Sequence, residues 1–318
     1  MFAGATQQSP QPCLKLADGK RLYEVIVRAG IQSADAVVQR ITRAQYQDRK
    51  TKSSRAQINE KVQPVAIRQP EVQYGGIEVL IISLGSGSDD FVIQSTHTGS
   101  TTLNANNGVD QIAIRTISGL TTINGGEGSD KINVGSNATP TTNTGGNVNS
   151  ISAALFVNGD ANTTGNGDVL NVDDTGDSAA NTGALTSTQL TGLGMSVGIT
   201  YNTLELLKTN LGSGGDTFDV FSTFATTLTL LNANQGADTI TIHSSNAQPV
   251  TVDGGDGNDF IYGGPGVDNL IGAAGDDHIE GGGGTDLISG GLGIDVLIAQ
   301  GSVGATMDGG DGNDTIDA

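Results

Sequence analysis

Six aspartates carry the most chemistry in this sequence: Asp259, Asp268, Asp277, Asp286, Asp295 and Asp314. Five of them recur at nine-residue intervals in "GGDGNDFIY GGPGVDNLI GAAGDDHIE GGGGTDLIS GGLGIDVLI", residues 254 to 298, and the sixth stands in a late copy, "GGDGNDTID", at 309 to 317. Each occupies the sixth place of its nonapeptide. Glycines at the first, second and fourth places allow positive φ and close backbone approach, so carbonyl oxygens can point into the turn. Carbonyls and carboxylates form a hard oxygen-donor set without His or Cys. Such irregular loops suit Ca²⁺, with its six to eight oxygen ligands, and match zinc or copper poorly.

The eighth place of each nonapeptide is apolar: Ile261, Leu270, Ile279, Ile288, Leu297 and Ile316. These side chains are expected to turn inward and stack into a narrow core. A slower beat of the same Gly-x-Asp type starts upstream, at Gly87, Gly108 and Gly128, and again at Gly214, Gly236 and Gly257. It belongs to a long unit that begins twice, since "YGGIEVLIISLGSGSDDF" at 74 to 91 returns as "YNTLELLKTNLGSGGDTF" at 201 to 218. Steps of about twenty residues are the size of one solenoid coil. The Thr-, Val- and Ile-rich stretches between them, such as "TTLNA" and "IAIRTI", favour strands. At nine residues per turn, two nonapeptides make one coil. The fold class is therefore all-β, a right-handed parallel β-helix or β-roll solenoid. Residues 135 to 200 match the turn poorly and read as an irregular, strand-rich part of the long unit.

Composition agrees with an elongated repeat rather than a large compact core, since 318 residues include 48 Gly, no Trp and only 4% aromatics. The net charge of -19 is unevenly spread. Residues 1 to 70 hold 12 of the 15 Lys+Arg, and none follows Lys208. The acidic remainder repels itself and needs a multivalent cation, which makes nucleic acid an improbable partner. One cysteine, Cys13, permits no internal disulfide. No apolar run reaches the roughly 20 residues of a membrane span. No signal peptide is visible. Three segments follow: 1–70, basic and of unassigned role; 71–250, a β-solenoid with coils of about twenty residues; and 251–318, the nonapeptide block. Within the first, a helix is expected from Ser33 to about Asp48, a strand at "RLYEVIV", and a linker near "TKSSRAQINEKVQP".

The nonapeptide block resembles the RTX, or haemolysin-type, calcium-binding repeats of secreted bacterial proteins. That resemblance implies a parallel β-roll with Ca²⁺ between successive turns, held by turn carbonyls and the sixth-place Asp. Carried over, turns starting at Gly254, Gly272 and Gly290 stack on one edge, and those at Gly263 and Gly281 on the other. The candidate metal ligands are then Gly254, Asp256, Asp259, Gly263, Asp268, Gly272, Asp277, Gly281, Asp286, Gly290, Asp295 and Asp314. Ala273 and Ala274 depart from the pattern in the third copy. At the isolated beats, Asp89, Asp110, Asp130, Asp216 and Asp238 read more readily as plain turn residues. Asn104, Asn106, Asn232 and Asn234 read as hydrogen-bonding turn ladders. His97, His243 and His278 are dispersed and read as surface residues.

The expected function is a non-catalytic calcium-binding module of an extracellular or cell-surface protein, folding when Ca²⁺ neutralises its turns. A surface or polysaccharide partner stays open. An accessory module of a polysaccharide lyase or epimerase is the first rival; no HExxH, nucleophile elbow or cationic cluster supports catalysis. An adhesive or ice-contacting surface is the second, suggested by "STHTGSTT" and "TPTTNT". Family members exported by type I secretion carry a signal after their repeats, whereas this sequence ends inside one. We therefore expect a fragment or an incomplete gene model.

Overall fold

The computed structural model describes residues 29–30, 78–160, 167–301 and 304–318. The expected helix after Ser33, the strand at 21–27 and the linker lie outside the described residues. Among the described residues there is no helix, and the strands form two long sheets. Sheet I has 11 strands, in the order Ala29–Gly30, Asp90–Ile93, Gln111–Ile114, Lys131–Val134, Val169–Asp173, Leu206–Asn210, Leu228–Asn232, Val250–Asp256, Asn269–Ala274, Leu287–Leu292 and Thr306–Asp311. Sheet II has 13, running Val79–Ser83, Ser100–Asn107, Thr121–Glu127, Leu155–Asn158, Ile199–Asn202, Gln189–Gly192, Thr182–Leu185, Thr217–Val220, Thr239–Ile242, Phe260–Tyr262, His278–Glu280, Val296–Ile298 and Thr315–Asp317. The chain crosses from one sheet to the other after nearly every strand. Apart from Ala29–Gly30 and the meander at 182–202, which pair antiparallel, neighbouring strands of each sheet pair parallel, which is a β-solenoid.

Each strand alternates between inside and outside, so a four-residue strand delivers only two inward side chains. A thin core results, and in the tandem block it is filled by two facing apolar columns, Leu270 and Ile288 on sheet I and Ile261, Ile279 and Leu297 on sheet II. Ile261, Leu270, Ile279, Ile288 and Leu297, the eighth-place residues, are all 0% exposed. The terminal copy differs, since Ile316 is 49% exposed on the last strand of sheet II. Phe91 and Phe218 are the largest fully buried side chains. The pairing of Phe260 with His278 and of Asn269 with Leu287 fixes a register of eighteen residues per coil, two nonapeptides as expected. The sheets run without a break from the upstream coils into the nonapeptide block, because Leu231 pairs with Val252 and Ile240 with Ile261.

The long unit that begins twice does not occupy equivalent places. Val79–Ser83 of the first copy lies in sheet II, whereas its counterpart Leu206–Asn210 lies in sheet I. Thr182–Leu185, Gln189–Gly192 and Ile199–Asn202 form an antiparallel meander wholly within sheet II. Gly192 (φ 81°) and Gly198 (φ 104°) lie at the start and end of its second connection. With the meander counting as a single passage through sheet II, nine crossings separate Val79–Ser83 from Leu206–Asn210, an odd number, so the second unit starts half a coil out of step. Its aspartate turns consequently fall on the opposite edge of the solenoid.

Candidate calcium-binding turns

Two edges connect the sheets. On edge one the chain passes from sheet II to sheet I, and Asp89, Asp110, Asp130, Asp168, Asp268 and Asp286 lie there. Edge two makes the reverse crossing and carries Asp216, Asp238, Asp259, Asp277, Asp295 and Asp314. The turns starting at Gly254, Gly272 and Gly290 stack on edge two, and those at Gly263 and Gly281 on edge one.

One carboxylate oxygen of these aspartates has a structural task that the spacing did not reveal. In most of them Oδ1 accepts the backbone N–H of the aspartate one coil earlier. Asp259 N–H donates to Asp277 at 2.8 Å, Asp277 to Asp295 at 2.8 Å, and Asp295 to Asp314 at 3.1 Å. The column continues upstream from Asp238 to Asp259 at 2.8 Å. On edge one Asp89, Asp110 and Asp130 donate in turn to Asp110, Asp130 and Asp168, each at 2.7 Å. Asp268 donates to Asp286 at 2.9 Å. The isolated beats thus form ladders of the same kind, and those on edge two run directly into the nonapeptides through Asp238 and Asp259. A turn N–H with no strand partner is satisfied here by an aspartate from the next coil.

The other oxygen behaves differently on edge two. Oδ2 of Asp259, Asp277 and Asp295 is buried without a hydrogen-bond partner. Each faces the first-place glycine of its own turn and a carbonyl of the next. A β-carbon on Gly254 would collide with Asp259 Oδ2 and lie 2.9 Å from the Gly272 carbonyl oxygen. One on Gly272 would collide with Asp277 Oδ2 and lie 2.7 Å from the Gly290 carbonyl. At Gly290 the clash is with Asp295 Oδ2, and the Gly309 carbonyl is 2.6 Å away. First-place glycine is therefore required for space rather than for φ. Positive φ falls instead at the second and fourth places, for example Gly255 (95°) and Gly257 (138°). Ala273 takes the second place of its turn at φ 78°, a conformation unfavourable for an L-residue with a side chain.

Edge one is built another way at the tandem block. Asp268 Oδ1 accepts from Val250 N–H at 2.9 Å, and its Oδ2 accepts from Gly264 N–H at 3.1 Å, so both oxygens are engaged. Gly263 packs against the carbonyls of Gly281 and Glu280. Asp286 is buried at the next turn, and its Oδ1 receives Asp268. Two other candidates differ from the buried set. Asp256 projects outward at the third place and accepts from Gln235 Nε2 at 3.2 Å. Asp314 is only half-buried in the last turn.

Burying these carboxylates beside one another raises their pKa, because the charged form loses water and meets like charge. Burial pushes Asp277 up to about 7, with Asp259, Asp295 and Asp276 adding repulsion. Burial likewise raises Asp259 and Asp295, and takes Asp238 and Asp110 to about 7 and Asp130 to about 6. Asp268 rises to about 6 from the same cause. A buried acceptor row of this kind is short of a cation. Among the described residues no group of three or more His, Cys, Asp or Glu has the geometry to hold a metal by side chains alone. The donors on offer are hence one or two carboxylate oxygens with several backbone carbonyls. That set fits a large, hard ion with flexible coordination, which is Ca²⁺.

The amides, the histidines and one further aspartate sort by contact. Asn124 donates to Asn104 Oδ1 at 2.8 Å and Asn158 to Asn124 Oδ1 at 2.6 Å, an amide ladder along sheet II. Asn106 and Asn234 occupy positive φ, and Asn234 Nδ2 donates to the Leu211 carbonyl at 2.6 Å. His243 contacts Asp219 at 2.7 Å and stacks on Phe221, while His278 reaches Glu280 at 3.0 Å. Sequence reasoning missed Asp174. Its Oδ2 is buried without a partner and its pKa rises to about 7 by burial, with Asp177, Asp216 and Asp173 contributing. No Gly-x-Asp pattern marks it.

A solenoid with eighteen-residue coils, glycine turns and buried aspartate rows defines a calcium-binding repeat protein. The family model for the RTX calcium-binding nonapeptide repeat matches four stretches, residues 119–138, 246–270, 262–297 and 305–318. The chain contains RTX calcium-binding repeats, and calcium is their ion. The first match includes Gly125 and Asp130, well upstream of the tandem block. A comparison with curated proteins finds no similar sequence.

Proposed function

We propose that this chain is a non-catalytic, calcium-dependent solenoid module of a secreted or cell-surface protein, and that it completes its fold on binding Ca²⁺. The observation that supports this reading most strongly is the column of buried, unpartnered oxygens on Asp259, Asp277 and Asp295, each opposite a glycine carbonyl of the following turn. On edge two, Gly254, Gly272 and Gly290 leave room for the ion, and the carboxylates with neighbouring turn carbonyls hold it. Asp256 and Asp314 contribute at the rim. On edge one, Gly263, Gly281, Asp268 and Asp286 supply the equivalent donors once Asp268 exchanges its Gly264 hydrogen bond for the ion. Bound Ca²⁺ supplies positive charge to a region without Lys or Arg after Lys208, and so stabilises the native state by mass action. Millimolar calcium outside cells, against low calcium inside, makes the extracellular side the place where this fold is stable.

The adhesive alternative receives less support. Outward threonines form short rows, Thr102 with Thr122 and Thr182 with Thr217 and Thr239, and each row is interrupted by an exposed phenylalanine, Phe156 or Phe260. The test is circular dichroism of the full chain in chelator, then with millimolar Ca²⁺ or Mg²⁺. A gain of β signal and of thermal stability with Ca²⁺ alone is expected. An identical spectrum and melting point in all three refutes calcium-dependent folding.

A further inference from the structure

Within the calcium reading, we propose that the side chain at the first place of each turn decides which aspartate turns admit a cation, so that each long unit opens with cation-free turns and ends in calcium-bearing ones. Register places these residues in columns. On edge one, Ser83, Asn104, Asn124 and Asn158 pair in sequence, so the residues that follow them, Leu84, Ala105, Gly125 and Gly159, stack in one row. On edge two, Asn210, Asn232 and Asp253 pair, and the next residues are Leu211, Ala233 and Gly254. Leu211 N–H donates to the Asn232 carbonyl and Ala233 N–H to the Asp253 carbonyl, both at 2.8 Å, which holds the row through the turn. Both units thus taper identically, from Leu to Ala to Gly.

The taper controls volume at the point where the ion must sit. Leu84 and Leu211 are buried in the hydrophobic core, 2% and 0% exposed. Asp216 accepts from Asn181 N–H at 2.7 Å and from Gly212 N–H at 3.2 Å, as Asp268 does from Val250 and Gly264, so what sets this turn apart is the Leu211 side chain. Ala105 and Ala233 are 0% exposed and put a methyl group where the later turns keep only glycine. Their aspartates, Asp110 and Asp238, still bury an unpartnered Oδ2, as Asp130 and Asp259 do. The carboxylate is therefore not what differs between the second and third turns; the methyl is. At Gly125 a β-carbon would lie 2.7 Å from Asp130 Oδ2 and 3.0 Å from the Gly159 carbonyl, the same cradle as at Gly254. A methyl carbon at that distance occupies the volume that a calcium ion needs to reach oxygens at about 2.3–2.6 Å. Gly125 with Asp130 and Gly159 then makes a cation cradle on edge one, remote from the tandem block and on the opposite edge from Gly254.

The experiment counts calcium per full-length chain by elemental analysis after equilibrium dialysis against buffered Ca²⁺. Wild type, Ala233→Gly and Gly125→Ala are compared, with circular dichroism in calcium as the check of folding. Ala233→Gly is expected to hold one more ion than wild type, and Gly125→Ala one fewer. The gain decides even if Gly125→Ala unfolds, because a loss of fold cannot add a site. Wild type that binds no calcium refutes the calcium reading itself. Wild type that binds calcium while Ala233→Gly holds the same number overturns the gating role alone.

Discussion

Asp277→Asn separates the two tasks of a sixth-place aspartate, and it should move stability in opposite directions with and without calcium. In the metal-free protein Asp277 accepts Asp259 N–H through Oδ1 at 2.8 Å, while Oδ2 is buried and unpartnered. Burial and the carboxylates of Asp259, Asp295 and Asp276 raise its pKa from 3.8 to about 7. At about 1.4 kcal/mol per pKa unit, the ionised side chain costs the fold about 4 kcal/mol at pH 7.5. Asparagine keeps the Oδ1 acceptor, removes the charge, and turns an amide N–H₂ toward the Gly290 carbonyl, which lines the same cradle. Part of the gain is lost if that amide is imperfectly paired, at about 1–3 kcal/mol for a buried donor. The variant should therefore be about 1–3 kcal/mol more stable than wild type in chelator. In saturating Ca²⁺ the order reverses, because two turns lose an anionic ligand. Urea unfolding at pH 7.5, in EGTA and in millimolar Ca²⁺, measures both. Destabilisation in EGTA would show that Asp277 is not under charge strain. An undiminished calcium-induced gain would show that its carboxylate does not hold the ion.

Two further outcomes follow from the same turns. Ala273→Gly relieves a left-handed residue, worth about 1–2 kcal/mol, against about 0.5–1 kcal/mol of added unfolded-state entropy, and should raise the urea midpoint by a net stabilisation of about 0.5–1 kcal/mol. A lower midpoint would contradict the strain at φ 78°. Because the folded pKa values of Asp110, Asp238 and Asp277 are raised to about 7, above the unfolded value, the metal-free fold holds the extra protons. Its stability in EGTA is full below about pH 4 and falls as pH rises toward 7. At Asp277 calcium must displace the proton, so half-saturation by calorimetry should need roughly tenfold or more Ca²⁺ at pH 5.5 than at pH 7.5. A pH-independent half-saturation would mean that this carboxylate is ionised before the ion arrives.

The sequence by itself determined the coil. Nine-residue spacing, strand-forming stretches and an apolar eighth place leave few ways to bury Ile261, Leu270, Ile279, Ile288 and Leu297 other than as facing columns between two parallel sheets. The choice of a hard cation was equally legible, since it depends on residue types that are adjacent in the chain. What only the tertiary structure decided depends on residues eighteen or more apart. The aspartate ladder joins Oδ1 to an N–H one coil away, and no local pattern distinguishes an oxygen so engaged from one left over. First-place glycine looked like a source of positive φ, yet its role is clearance from a carboxylate and from the next coil's carbonyl, a contact that exists only after stacking. The two long units look interchangeable in sequence, but an odd number of crossings between the sheets separates them and sends their turns to opposite edges. Local chemistry is written in neighbouring residues, whereas edge, register and leftover valence are set by what each coil finds above and below it.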